Sequence, residues 1–415
     1  MIVRSEWRTI SLRHLVTVHD GKRIPLNAAE RGDRIGPYPY WGSGGVVGYV
    51  DRPLFHGTLV LLGEDGAPFF DRDRPVAFRI DEPVWVNNHI HVLRPALSMD
   101  ASFLTYFLNQ VDYSLYITGS TRDKLTQEDL RAIAISVPPL DEQRQIAEYL
   151  DRETGKIDEL IAKQEQLVDR VAERRQTVIT ETVLRGLDSS AELKASGMDA
   201  IGSIPGHWTV SPLKHAISAI EQGVSPEASA ELADSESWGV LKSGCVNGGK
   251  FSDVEHKRLP DDFDFLPSLA VAVGDLLISR ASGSPSLVGS AAIVKHLRYR
   301  LILSDKTFRL RAKVGVDVRF IEQFMQSKAY REQVRGAISG AVGLANNLPM
   351  SSLKSFQIAI PPLTEQIKIA DFLDQKVGQI DLLVAKAKEV TRAISERRAA
   401  LISAAVTGKI DVRGL

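Results

Sequence analysis

The sequence predicts an α+β protein: two α+β modules with curled β-sheets, separated by two long helices that form an antiparallel coiled coil with internal pseudo-two-fold symmetry. Three observations predict it. One stretch of chain occurs twice at an offset of 223 residues, each copy carries apolar residues at heptad spacing, and the segments between the copies alternate short β-like runs with glycine-rich turns. At 415 residues the chain is also too long for one core.

The first module, expected over 1–137, is read from Val46-Val47-Gly48-Tyr49-Val50, Thr58-Leu59-Val60-Leu61-Leu62, the run 75–80 and Ile90-His91-Val92-Leu93, followed by a helix-like run at 101–110. Next comes the first helical region, 138–187. It opens with Pro138-Pro139-Leu140-Asp141-Glu142-Gln143, matched by Pro361-Pro362-Leu363-Thr364-Glu365-Gln366, and 20 of the 46 positions that follow from each start are identical. The proline pair ends an extended stretch, and Asp141 or Thr364 is the expected N-cap. A short helix to about Leu150 and Leu373 should precede a longer one. In the longer helix Ile157, Ile161, Gln164, Val168, Val171, Arg175 and Val178 alternate at steps of four and three, as do Ile380, Val384, Ala387, Thr391, Ile394, Arg398 and Leu401. So narrow a stripe wants a partner helix, and the other copy is the simplest one. About 30 such residues make a rod of roughly 45 Å. A helical hairpin that merely links two domains is the plainer alternative.

A Ser/Gly/Pro-rich linker is expected over 188–207. The second module, 208–360, begins with a second echo, Trp208-Thr209-Val210-Ser211 after Trp7-Arg8-Thr9-Ile10-Ser11. It has β-like runs at 239–241, 271–278 and 290–294 and a helix-like run at 320–335. The second helical region fills 361–415. Its end differs from that of the first, with the glycine of Thr407-Gly408 displaced by one relative to Arg185-Gly186, so the helices should differ slightly in length.

Composition excludes several classes. With 44% hydrophobic and 25% charged residues the chain should fold as a globular protein. No apolar run approaches the roughly 18 residues of a membrane span, and no apolar segment follows the first residues as in a secretion signal. A single cysteine, Cys245, makes no internal disulfide and no cysteine zinc site, which fits a reducing cytosol, and it reads as a small buried hydrophobe. The net charge of -1 gives no whole-chain sign of nucleic acid, so any basic face must be local.

Catalytic motifs are missing. Gly244-Cys245-Val246-Asn247-Gly248-Gly249-Lys250 approaches a phosphate loop, but Phe251 stands where a magnesium-binding Ser or Thr belongs. The proline pairs lack the Asn/Asp before and the aromatic after that an amino methylase uses to hold a flipped base. His89 and His91 share a strand face without a clear third metal ligand, so packing or a polar contact is the better reading. There is no Gly-x-Ser-x-Gly elbow.

Polar loops carry more. Thr118-Gly119-Ser120-Thr121-Arg122-Asp123-Lys124-Leu125 precedes the first proline pair, and Ser339 to Leu348, with Asn346 and Asn347, holds the matching place in the second module. Small residues let a backbone approach phosphate, and Arg122, Lys124, Asn346 and Asn347 are suited to phosphate or base edges. A purely structural turn is the alternative.

These pieces, together with Leu193-Lys194-Ala195-Ser196-Gly197, Ile201-Gly202-Ser203-Ile204-Pro205-Gly206-His207-Trp208 and Tyr38-Pro39-Tyr40-Trp41-Gly42-Ser43-Gly44-Gly45, resemble the specificity (S) subunits of type I restriction-modification enzymes over nearly the whole chain. The resemblance implies a subunit without catalysis of its own. Two target-recognition domains would each read one half of an asymmetric bipartite site in double-stranded DNA, and the helices would set the spacing and dock two methyltransferase (M) subunits. Restriction/translocase (R) subunits would join them. No cofactor is expected in this chain: S-adenosylmethionine would belong to M, and ATP with Mg to R. Lys22, Arg23, Arg122 and Lys124 in one domain, and Lys242, Lys250, Arg280 and Lys306 in the other, would position the DNA backbone. The loops 63–67, with Glu64 and Asp65, and 279–284, with Arg280, Ser282 and Ser284, would lie near the bases, alongside Thr121. The apolar 341–348 loop departs from its Thr-rich counterpart. A protein-binding scaffold, or a specificity subunit without a nuclease partner, is the other reading.

Overall fold

A computed structural model describes residues 7–71, 74–117, 123–338 and 346–413. The chain forms two compact units, Met1–Gln166 with Ala387–Leu415, and Leu167–Lys386. Among the described residues no helix is long and apolar enough to cross a membrane.

The first unit contains β1 (Arg8–Ser11), β2 (Val16–Val18), α1 (Ala28–Gly32), β3 (Tyr38–Gly42), β4 (Gly45–Val50), β5 (Leu59–Gly63), β6 (Ala77–Ile80), β7 (Trp85–Val86), β8 (Ile90–Pro95), α2 (Ala101–Leu108), α3 (Gln127–Ala132), β9 (Ala134–Val137) and the start of α4 (Leu140–Arg185). Its strands form an antiparallel sheet ordered β2-β8-β5-β6, a sheet β4-β3-β7 with β3 and β7 parallel, and the pair β1-β9. The continuous apolar run of β5 is buried throughout. Because side chains alternate, Val60 and Leu62 enter the core beneath α2, while Leu59 and Leu61 pack with Phe55, Val84 and Val86 on the opposite face.

The second unit contains the rest of α4, then β10 (Leu193–Ala195), β11 (Ser203–Pro205), β12 (Thr209–Pro212), β13 (Ile217–Gln222), β14 (Trp238–Leu241), β15 (His256–Arg258), β16 (Leu276–Ser279), β17 (Ala281–Ser282), β18 (Ala291–Ile293), β19 (Arg300–Ile302), β20 (Thr307–Ala312), α5 (Val318–Met325), α6 (Lys328–Ala337), β21 (Asn346–Asn347), α7 (Met350–Ser355), β22 (Gln357–Ile360) and the start of α8 (Leu363–Val406). Its sheets are β13-β20-β16-β18, β15-β14-β19 with β14 and β19 parallel, and β12-β22. These three sheets repeat those of the first unit, strand for strand, from a sequence that hardly resembles it, and the second unit adds the pairs β10-β11 and β17-β21. The stretch 188–207 forms the hairpin β10-β11, with Ile201 and Ile204 buried in the unit's core. The helix-like run at 320–335 is two helices, broken where Ser327 caps α6 by accepting the Tyr330 N–H.

Each repeat forms one unbroken helix, of 46 and 44 residues, rather than a short helix followed by a long one. Nothing stops it: Gly155 alone costs only about 1 kcal/mol, and the Thr154 hydroxyl bonds back to the Leu150 carbonyl at 2.6 Å. The helices also start two residues earlier than expected, with the Pro139 and Pro362 carbonyls, in the cap position, each accepting at 3.0 Å from the N–H of Gln143 and Gln366. Within each unit the two helices run antiparallel. In the first, Ile146 and Leu150 share a core with Ile402 and Val406, and Asp158 accepts from Arg398 at 2.7 Å; in the second, Arg175 bonds Asp381 at 3.0 Å while Ile179 and Val183 share a core with Leu373 and Ile369. The tryptophans of the second echo cover the helix ends. Gly186 (φ 75°) lies beneath Trp208 and Gly408 (φ 70°) beneath Trp7, each in the left-handed conformation that ends a helix.

Candidate nucleic-acid interface

In the first unit the chain leaves β5 at Gly63, and a Cβ there would meet that of Ala67 at 2.3 Å, so only glycine permits the turn that follows. The loop then pairs with the returning segment 123–125. Gly66 N–H donates to Asp123 O at 3.2 Å, Leu125 N–H to Glu64 O at 2.8 Å, and Asp65 bridges Lys124. The second unit repeats this arrangement after β16. There β17 pairs with β21, Ser282 opposite Asn346 and Ala281 opposite Asn347, and Leu348 N–H donates to Arg280 O at 2.8 Å. Leu125 and Leu348, both fully buried, hold the two ribbons against equivalent sheets.

The chemistry of the two ribbons differs. Glu64 lies between Arg23, at 2.5 Å, and Lys124, at 3.3 Å, and Arg23 also donates to the Ile90 carbonyl at 2.8 Å. Arg23 is therefore a strut, with little side chain left in solvent, whereas Lys124 is half exposed and Lys22 is exposed. Asp65 lies 3.1 Å from His89. His91 is buried, with Nδ1 at 2.7 Å from Asp20 and Nε2 at 3.0 Å from Leu125 O. Burial works against an Asp20 carboxylate, but the bonds from His91, Val92 and Gln127 together hold its pKa below the ordinary value. Asp20, Glu64 and His91 converge as metal ligands would, and the cation placed among them is the Arg23 guanidinium.

In the second unit Arg280 donates to Asp305 O at 2.9 Å with its guanidinium 5.9 Å from the Phe308 ring centroid, and its N–H bonds Lys306 O. The Lys306 side chain is exposed. Ser284 N–H donates to the Ser282 hydroxyl at 3.2 Å, and Asn346 to Gly283 O at 3.5 Å. Structure thus joins Glu64, Asp65, Lys124 and Arg23 in one ribbon, and Arg280, Ser282, Ser284, Asn346 and Asn347 in the other. It sends Lys250 to Asp381 on α8, at 2.8 Å, and sets Lys242 near Glu255. Thr121 and Arg122 lie outside the described residues. Cys245 is buried, which pushes its thiol up to about 12.

Three arginines escaped the sequence reading. Arg31 stacks on Tyr40 at 5.2 Å, while Arg34 and Arg52 lie 5.7 and 5.6 Å from the Trp85 ring, beside the β4-β3-β7 sheet. The signal was the aromatic-rich Tyr38-Pro39-Tyr40-Trp41 with arginines on either side. In the equivalent lobe of the second unit Arg258 is instead neutralised by Asp234 and Asp261.

The model of the type I restriction modification DNA specificity domain matches residues 4–170 and 205–392. A Haemophilus influenzae protein bearing the name of a type I restriction enzyme specificity subunit is 23% identical over 371 residues, 89% of this chain and 87% of that one. The EcoKI specificity subunit of Escherichia coli is 23% identical over 78% of this chain and 68% of its own, and the MjaVIII specificity subunit of Methanocaldococcus jannaschii is 26% identical over 76% and 72%. A solved chain described under complex assembly and conformational transition of the type I R-M system shares the fold, with a TM-score of 0.70 at 15% identity over 98% of this chain and 99% of that one. With both recognition modules and most of both helices inside the matched segments, the chain belongs to the type I restriction-modification DNA specificity subunit family.

Proposed function

We propose that each recognition domain reads one half of an asymmetric bipartite DNA target, with the paired helices setting the spacing and docking two methyltransferase subunits. One observation carries this reading: the two ribbons occupy equivalent places but present different groups, Glu64, Asp65 and Lys124 in one and Arg280, Ser282, Asn346 and Asn347 in the other. Equivalent placement gives both domains the same approach to a groove, and different donors and acceptors select different bases. Arg34, Arg52, Lys22 and Lys306 are suited to hold phosphates. In this reading the chain itself is not catalytic. S-adenosylmethionine and adenine methylation belong to the methyltransferase subunits, and ATP, Mg and cleavage to the restriction subunits of a cytoplasmic complex.

The experiment is to co-express the chain with the methyltransferase subunit of its system and map methyladenine across host DNA, with a chain-deleted control. A bipartite, asymmetric motif that appears only with the chain supports the reading. A purified complex that yields no chain-dependent motif contradicts it.

A further inference from the structure

The two ribbons stand on the same strand position, filled by different side chains. Leu62 faces His91 across β5 and β8, and Ile278 faces Phe308 across β16 and β20. Each pair lies two residues before the one that opens the ribbon, Glu64 in one unit and Arg280 in the other. Both pedestal residues are buried, His91 at 1% exposure and Phe308 at 0%. Phe308 offers Arg280 a ring face.

His91 works through polar bonds. It joins Asp20 in the turn after β2, Leu125 O on the returning segment and, at 3.8 Å, the Glu64 carboxylate. Around that cluster stand Arg23 and Lys124 on Glu64, and Gln127, which donates to Asp20 at 3.0 Å. The imidazole therefore fastens three separated pieces of chain that carry the exposed Lys22 and Lys124. A buried group of this kind leaves partners unsatisfied when it is removed, so its loss is felt along the whole network.

We propose that His91 is the positioning residue of the first domain's reading ribbon, and that Phe308 is its apolar counterpart in the second. This rests on the DNA-reading function given above. The test uses the complex with the methyltransferase subunit, comparing wild type with His91→Phe, His91→Gln and Phe308→Leu by methyladenine mapping and by hydrogen exchange of the purified complexes. His91→Phe should make one half of the motif degenerate and lower methylation of the original site about tenfold or more, while the other half stays intact. His91→Gln, which keeps a donor for Leu125 O or Asp20, should restore most of that half. Phe308→Leu should relax the opposite half. The amides of Gly66 and Leu125 should exchange faster in His91→Phe and near the wild-type rate in His91→Gln.

An unchanged motif with unchanged exchange in His91→Phe overturns the proposal, as does relaxation of the same half by His91→Phe and Phe308→Leu. If His91→Phe fails to assemble, His91→Gln decides: faster exchange at Leu125 without any change in half-site preference overturns the proposal. A wild-type complex with no bipartite motif would sink the DNA-reading function, and positioning for target reading with it. The exchange rates would then still say whether His91 holds the ribbon.

Discussion

The side-chain carbonyl of Gln143 accepts the backbone N–H of Asp100 at 2.8 Å, binding the start of α4 to the residue that caps α2. The same amide donates to Ser98 O and Pro138 O. In the second unit Gln366 accepts from Asp317 N–H at 2.9 Å, where Asp317 caps α5, and donates to Pro361 O. This joint between domain and helix is what the repeated Pro-Pro-Leu-x-Glu-Gln builds. Gln143→Met keeps the volume and removes the bonds, and it should destabilise the first unit by about 2–3 kcal/mol. Hydrogen exchange at the Asp100 amide should accelerate accordingly, with the second unit unaffected.

The ion pairs between the helices should differ in weight. Asp158 and Arg398 are both substantially exposed, whereas Arg175 and Asp381 are mostly covered and Arg175 also donates to Gln326 at 3.1 Å. Arg398→Ala should cost less than about 1 kcal/mol. Arg175→Ala should cost roughly twice as much, because it removes mostly covered bonds to both Asp381 and Gln326, leaving Asp381 only the exposed Lys250. Denaturant unfolding that resolves the two units checks the order.

Acid should loosen the β14–β19 lobe through Asp253. Its buried carboxylate accepts two bonds from the Arg298 guanidinium and one from the Arg298 N–H, and this pairing holds its pKa below the ordinary value against the opposing effect of burial. A depressed folded pKa means stability that is present above the unfolded value of about 3.9 and lost as pH falls through the folded value. Asp253→Asn should be less stable than wild type near neutral pH, and the gap should close below about pH 4. Melting temperatures across that range check it.

A net charge of -1 predicts weak DNA binding by the isolated chain and much tighter binding once the methyltransferase subunits are added. Within the complex, replacing Arg34 and Arg52 by glutamine should weaken binding to all sequences alike. The slope of log K against log salt should fall by up to about 2. A salt series on specific and random duplexes measures both.

The long helices were legible because the heptad stripes and the duplicated Asp and Arg positions lie along one continuous stretch of chain. The central strands β5 and β16 could be read because Leu59 to Leu62 and Leu276 to Ile278 are apolar runs between turns. The shared topology of the two domains could not, since a sheet core accepts many apolar residues and needs no common sequence. Nor could the ribbons, for the partner of Glu64 is Arg23, 41 residues earlier, and that of Ser282 is Asn346. The loops stand out in each domain by their glycines and polar residues, but which of their side chains are struts depends on such distant pairings. Arg23 was counted among the DNA contacts on charge alone, and its place beneath the ribbon follows from Glu64 and the Ile90 carbonyl.

The central claim is that two equivalent ribbons of different chemistry read two different half-sites. The most direct test maps methyladenine for Lys124→Ala and Arg280→Ala, each in complex with the methyltransferase subunit. Each substitution should degrade one half of the bipartite motif, a different half in each case, and leave the other half and the spacing unchanged. Loss of the same half in both, or an intact motif in both, would contradict the account.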